Sequence, residues 1–189
     1  VEVWSLDAST VLFSGARAGE VDWLPDEEGR HLIQVLRLGP GELVGVFDGE
    51  GREYIARVNA ISHGRASVKT IARVEAVAEP VGKLTLAQAV LKTDSMSVVI
   101  RDAVMLGVST IRPIVTTRTN MARKVRGRTG NLARWRRVAS SSAKQCGRAK
   151  VPEISPVIEF EAFIKEPSDE CRLILVEPSV DISGNYSPY

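Results

Sequence analysis

The sequence lacks the patterns of a metal site, a membrane-spanning segment and a secretion signal. Its two cysteines, Cys146 and Cys171, and its two histidines are widely spaced along the chain, which argues against a zinc site. No run of about 18 apolar residues occurs, and the N-terminus has no basic segment before an apolar stretch. We therefore expect no metal, no membrane association and a cytoplasmic location.

Acidic residues are missing from one long segment. None of the 23 lies between Ala103 and Pro152, which carries 12 of the 25 lysines and arginines, although the net charge of the whole chain is only +2. Soluble surfaces normally mix charges of both signs. A block of one sign therefore suggests a polyanionic partner such as RNA or DNA.

Up to about Val81, the chain alternates polar and apolar residues in the manner of β-strands. Short apolar runs flank "DGEG" at residues 48–51, which predicts a hairpin with a glycine-rich turn. Residues 26–42 place Leu32 and Val35 at helical intervals and end in "GPG", so one short helix is expected among the strands. We predict a small β-barrel domain over residues 1–80.

After "AEPVGK", strands and helices alternate, which predicts an α/β domain with a parallel sheet over residues 83–189. The expected helix between the first two strands starts at Ser95, has Leu106 on its apolar face and is closed by Gly107. Strands are expected over the segments 83–91, 109–116 and 171–178.

The helix predicted from Asn131 to Arg148 separates its residue types by face. At about 100° per residue, one arc holds an apolar stripe that includes Trp135. The opposite arc holds four cations: Arg134, Arg137, Lys144 and Arg148. Plain solvation would explain one or two cations, but a face selected for solubility normally includes Glu–Lys pairs four residues apart. We therefore expect this arc to contact phosphates.

Several motifs together resemble one known family. The runs "RHLIQVLRLGPGE", "VFDGEGREYIARV", "LAQAVLKTDSMSVVIRDAVMLGVSTIRPIVTTRT" and "RWRRVASSSAKQCGRAKVPEI" resemble, in this order and spacing, the bacterial 16S rRNA uridine-N3 methyltransferase family of the SPOUT superfamily. The resemblance implies an N-terminal PUA-like RNA-binding barrel. It also implies a SPOUT-type α/β domain that ends in a trefoil knot, binds S-adenosylmethionine and dimerises.

The resemblance also implies the activity and the partners. The expected reaction is methyl transfer from S-adenosylmethionine, without a metal, to N3 of a uridine in 16S rRNA of the small ribosomal subunit, by a protein that is a homodimer when full-length. Glu177 and Pro178 are the expected cofactor contacts, and no catalytic residue is assigned. From the resemblance and the charge pattern, the expected RNA-binding residues are His31, Arg37, Arg118, Lys124, Arg134, Arg137, Lys144, Gln145 and Arg148.

The sequence departs from the family pattern in two ways. Met105, Thr117 and Ser141 stand where the family usually has glutamate, and no "GPEGG" run follows "CRLILVEP". We therefore expect a chain truncated before the knot and inactive by itself. A non-catalytic module that binds structured RNA is the alternative. A small-molecule enzyme that recognises a phosphorylated ligand is a third possibility, but no nucleotide-binding glycine motif supports it.

Overall fold

The computed structural model describes residues 10–117, 119 and 129–175 of the 189-residue chain. The N-terminal part is a five-stranded sheet, and its strands are β1 Thr10–Leu12, β2 Val21–Trp23, β3 Leu43–Phe47, β4 Glu53–Ser62 and β5 Arg65–Val74. They lie in the order β1-β3-β4-β5-β2. Strand β1 runs parallel to β3, and the other neighbours are antiparallel.

Strands β3 and β4 form the predicted hairpin around the glycine-rich turn. Tyr54, Ala56 and Val58 point into the barrel core and are at most 8% exposed, as the alternation indicates. The carboxylate of Asp48 accepts hydrogen bonds from the backbone N–H groups of Glu50 (2.8 Å) and Arg52 (3.0 Å). The turn is therefore held by its own side chain, in the way that Asp commonly stabilises turns.

The helical segment before β3 has two parts, α1 (Asp26–Arg30) and a π-helix (His31–Val35). Leu32 is fully buried in the barrel core, whereas Val35 is 65% exposed. The prediction that both lie on one apolar face is therefore wrong for Val35. The π-helix turns more widely than an α-helix, so residues three apart no longer share a face.

The C-terminal part contains a second sheet, in which β7 (Thr110–Val115) is central and pairs in parallel with its three neighbours. This arrangement confirms the predicted parallel sheet. The neighbours are β6 Thr85–Ala89, β8 Glu153–Ile154 and β9 Ile158–Glu159, and the helices of this part are α2 Thr93–Met105, α3 Thr129–Cys146 and α4 Phe160–Lys165.

Helices α2 and α3 pack together with β7 in one core. Met96, Ile100 and Trp135 are at most 3% exposed within it. Gly107 ends α2 with a φ of 84°, as predicted for a glycine in the left-handed region. Leu106 is 79% exposed, so its predicted burial is wrong, because it is the C-terminal cap and lies outside the regular helical arc.

The predicted strand over 171–178 is wrong in its described part. Residues 171–175 adopt no regular secondary structure, and Leu173, Ile174 and Leu175 are 67–99% exposed. An apolar run becomes a strand only where a neighbouring strand supplies hydrogen bonds, and no described strand pairs with it. Residues 176–178 lie outside the described part of the chain.

The barrel and the α/β part meet at the glycine-rich turn. The N–H of Gly51 donates to the Ala149 carbonyl (3.1 Å), and the N–H of Val151 donates to the Gly49 carbonyl (2.9 Å). Gly49 has a φ of 83°, and a Cβ there would lie 3.2 Å from Leu12 Cδ1, so this close approach favours glycine. Each part has its own apolar core; the exact domain boundaries stay a prediction.

Candidate nucleic-acid interface

Helix α3 has the two faces that the sequence predicts. Trp135, Ala139 and Ala143 are at most 3% exposed and fix the helix to the second core. The side chains of Arg134 and Arg137 are 44% and 66% exposed. Burial of the apolar stripe thus determines which way the arginines point.

Arg148 does not lie on the exposed face. It is only 8% exposed, and its guanidinium donates to both Glu79 carboxylate oxygens (3.0 and 2.5 Å) and to the carbonyls of Val104 (2.7 Å) and Val108 (3.2 Å). The prediction that Arg148 is free for a polyanion is wrong. The reason is that α3 ends at Cys146, and Gly147, with a φ of 71°, turns the chain off the helical arc.

Lys144 connects α3 to the barrel. Its Nζ lies 2.6 Å from Glu28 Oε1, and the two side chains are only 18% and 11% exposed. The other Glu28 oxygen accepts the N–H of Leu12 at 3.1 Å. The charge of Lys144 is therefore already balanced inside the protein, and its predicted contact with phosphate stays a prediction.

Arg134 and Arg137 have only loose partners. Arg137 Nε lies 3.7 Å from Glu27 Oε1, with both side chains about two-thirds exposed. Arg134 Nη2 lies 3.4 Å from Asp94 Oδ1, and the Asp94 side chain is almost fully exposed. Exposed pairs of this kind contribute about 0–1 kcal/mol, so both arginines can exchange their partners readily.

An open depression of about 500 Å³ lies beside Arg137. Two of the residues that line it, His31 and Arg137, were predicted from the sequence, whereas Arg30 and Gln34 were missed. Arg30 and Gln34 are four residues apart on one helical segment, a spacing that places two side chains close together. This spacing could have identified them from the sequence. The full lining is Glu27, Arg30, His31, Gln34, Val35 and Arg137.

His31 brings hydrogen-bonding capacity to the depression. Burial and the nearby charge of Lys144 lower the pKa of His31 below its ordinary value of 6.5, and Glu28 only partly opposes them. The imidazole is therefore neutral at pH 7, when one ring nitrogen donates and the other accepts. Positive charge in the depression comes from Arg30 and Arg137.

Among the described residues, Arg37 and Gln145 were also predicted to bind RNA but do not line this depression. Arg37 is exposed, has a φ of 56° and follows Leu36, the C-terminal cap of the π-helix. Gln145 is exposed near the end of α3. Their predicted contacts with RNA stay predictions. Four further predicted residues lie outside the described part of the chain: Arg118, Lys124, Glu177 and Pro178.

Acidic residues from distant parts of the chain form ion pairs with several described cations of the acid-free segment. Arg112 on β7 makes a bidentate contact with Glu166, with Nη–Oε distances of 2.5 and 2.9 Å, in the same way that Arg148 binds Glu79. The absence of acidic residues from a sequence segment is therefore weaker evidence for a polyanionic partner than the sequence alone indicates. The exposed, loosely paired arginines are the better evidence.

Comparison with protein families decides the kind of protein. Residues 77–185 match the RNA methyltransferase domain, and residues 24–71 match the RNA methyltransferase PUA domain. The chain belongs to this RNA methyltransferase family. Membership confirms the predicted resemblance and the PUA-like barrel followed by a SPOUT-type α/β domain.

Two curated relatives of this family member are ribosomal RNA small subunit methyltransferases E. The Synechocystis protein is 30% identical over 147 residues, which is 77% of this chain and 46% of the relative. The Buchnera aphidicola protein is 24% identical over 156 residues, or 82% and 62%. The chain thus spans roughly half to three-fifths of the length of these relatives.

Solved structures of this family agree with the fold. A Neisseria gonorrhoeae ribosomal RNA small subunit methyltransferase E bound to S-adenosyl methionine has a TM-score of 0.78 and 31% identity, covering 85% of this chain and 66% of that one. A Legionella pneumophila protein in complex with the cofactor SAM has a TM-score of 0.77 and 26% identity, covering 90% and 71%.

The three positions at which this family member departs from the usual glutamates all lie on the surface. Met105 is 55% exposed, and Thr117 and Ser141 are also exposed. A carboxylate at these positions would be in solvent, where it contributes little to stability. The replacements therefore leave the buried contacts of α2 and α3 unchanged.

Proposed function

We propose that the chain binds RNA and acts in the transfer of a methyl group from S-adenosylmethionine to N3 of a uridine in 16S rRNA. Family membership and the names of the relatives support rRNA methylation. The S-adenosyl methionine bound to the Neisseria gonorrhoeae structure supports the methyl donor. The choice of N3 and of 16S rRNA rests on the sequence resemblance.

The observation that carries the proposal is the depression between α1 and α3. It combines two exposed guanidinium groups, Arg30 and Arg137, with the neutral His31 and the amide of Gln34. Guanidinium groups bind phosphates in a bidentate manner, whereas imidazole and amide groups can hydrogen-bond base edges. A site with both is suited to a single-stranded RNA segment.

The reaction explains why the RNA must be held by such a surface. The sulfonium of S-adenosylmethionine is already an electrophile when bound, so the protein's main tasks are positioning and charge stabilisation. Uridine N3 lies on the Watson–Crick edge and is accessible only when the base is unpaired or flipped out. On this proposal, Arg30 and Arg137 hold the RNA backbone while the target base leaves its helix.

The proposal includes partners and context. The substrate is the rRNA of the small ribosomal subunit, and the enzyme is a cytoplasmic homodimer that uses no metal. The barrel over 1–80 provides the first half of the RNA surface, and the α/β domain over 83–189 provides α3. No described helix is long and apolar enough to cross a membrane.

RNA binding by the 189-residue chain tests the proposal. We expect a 16S rRNA fragment to bind with an affinity that falls linearly with the logarithm of salt concentration. The double variant Arg30→Ala/Arg137→Ala should reduce the slope by about two, because two phosphate contacts are lost. Arg17→Ala is the matched control, since Arg17 is exposed but does not line the depression.

Two outcomes would contradict parts of the proposal. An unchanged slope in the double variant, or an equal loss in the Arg17 variant, would exclude the depression as the RNA site. Nucleoside mass spectrometry of 16S rRNA incubated with S-adenosylmethionine and this protein should give N3-methyluridine. RNA binding without any methylated nucleoside would instead favour the non-catalytic RNA-binding module.

A further inference from the structure

Two consecutive acidic residues of α1 face α3 in different ways. Glu28 is buried, makes a close ion pair with Lys144 (2.6 Å) and accepts a backbone N–H of β1. Glu27 is about two-thirds exposed and lies 3.7 Å from Arg137, beyond normal hydrogen-bond distance. Glu28 is therefore part of the structural contact, whereas Glu27 is a carboxylate placed loosely beside a cation.

Glu27 stands where an RNA phosphate would bind. Both Glu27 and Arg137 line the depression, and carboxylate and phosphate oxygens use the same guanidinium N–H donors. A phosphate that reaches Arg137 from the depression must therefore displace the Glu27 carboxylate or bind against its charge. Arg30 has no such competitor, because its Nε donates only to the Asp26 carbonyl among the described residues.

Displacement of Glu27 costs little but is not free. Both side chains are mostly solvated, and ion pairs of this kind are weak. Every RNA that places a phosphate at Arg137 meets this cost, because the same carboxylate must leave the same guanidinium. The cost therefore lowers the affinity for phosphate by one common factor and leaves the ratio of specific to non-specific affinity unchanged.

On the basis of the proposed RNA interface, we propose that Glu27 competes with RNA phosphate for Arg137 and thereby lowers the affinity of the depression for phosphate. It does so for every RNA whose phosphate reaches Arg137. Glu28, its neighbour, has no part in this competition because its carboxylate is bound to Lys144 and to Leu12.

The test is Glu27→Gln, measured by fluorescence anisotropy with a labelled oligouridylate and with a 16S rRNA fragment. Loss of the competing charge should tighten oligouridylate binding about two- to fivefold, the range expected for one exposed ion pair. The slope of log affinity against log salt should stay close to that of the wild type, because Arg137 makes its phosphate contact in both proteins. The 16S rRNA fragment should tighten by a similar factor, so the ratio of the two affinities stays unchanged.

A double-mutant cycle separates competition from simple repulsion. In an Arg137→Ala background, Glu27→Gln should have little effect, because the guanidinium for which Glu27 competes is gone. Glu20→Gln is the matched control, since Glu20 makes a similar loose pair with Arg17 (4.0 Å) and does not line the depression. Equal tightening by Glu20→Gln, or by Glu27→Gln in the Arg137→Ala background, would overturn the inference.

The failure of the inference differs from the failure of the proposed function. If wild-type protein binds RNA with the expected salt dependence but Glu27→Gln changes nothing, only the role of Glu27 is wrong. If the wild-type chain shows no salt-dependent RNA binding, the proposed interface is wrong and the inference fails with it.

Discussion

The middle and the end of the basic segment around α3 carry the same kind of residue but use it differently. At the end, Lys144 and Arg148 are largely buried and closely paired with Glu28 and Glu79. In the middle, Arg134 and Arg137 are exposed and have partners at 3.4–3.7 Å. A positively charged residue in this segment thus has one of two roles: it forms an ion pair within the fold, or it lies on the surface where it can contact a ligand.

Removal of Arg148 should have the largest effect on stability. Arg148→Ala leaves the Glu79 carboxylate and the Val104 and Val108 carbonyls without their donor, and loss of one partner of a largely buried pair costs about 3 kcal/mol. Thermal denaturation should show a melting temperature lowered by about 8 °C. A variant that melts like wild type would remove the distinction between the two regions.

The Glu28–Lys144 contact should have an intermediate effect. Glu28→Gln keeps an oxygen for the Leu12 N–H but leaves the ammonium of Lys144, which is only 18% exposed, without its carboxylate. Hydrogen bonds to charged groups contribute about 1.5–3 kcal/mol, so urea denaturation should show a free energy of unfolding lowered by about 1.5 kcal/mol. Equal losses in Glu27→Gln would show that exposure does not separate the two acids.

His31 lies between the buried Glu28–Lys144 pair and the exposed Arg137. Its environment should make the free energy of unfolding depend on pH. Because burial and Lys144 lower its pKa in the folded state, the unfolded chain takes up the proton first as pH falls. His31 therefore contributes a loss of stability that begins near pH 6.5 and grows until the folded state also protonates. Unfolding free energies from pH 8 to 5 should decline less in His31→Gln; an identical decline would contradict the assignment.

Arg137 should give the smallest change in stability. Arg137→Ala removes an exposed cation with a loose partner, so its unfolding free energy should stay within about 0.5 kcal/mol of wild type. Calorimetry of the purified variant checks this expectation. A loss as large as that of Arg148→Ala would mean that Arg137 is also a structural contact, and weaker RNA binding could then not be read as a lost phosphate contact.

Local patterns predicted the architecture well. Alternation in β4 placed Tyr54, Ala56 and Val58 in a core, and helical spacing placed Trp135 and Ala139 against the sheet. Such patterns work because neighbours along the chain share one element with a fixed period. They failed for Val35 and Leu106, where a π-helix and a helix cap change that period.

The sequence by itself determined the two faces of α3, the two kinds of sheet and the family motifs, since all of these depend on residues close together in the chain. Only the tertiary structure decided which cations are free. The acid that pairs with Lys144 is 116 residues away, and the acid that pairs with Arg148 is 69 residues away. Periodicity carries no information on such distances, so folding alone separates a structural cation from one that can bind RNA.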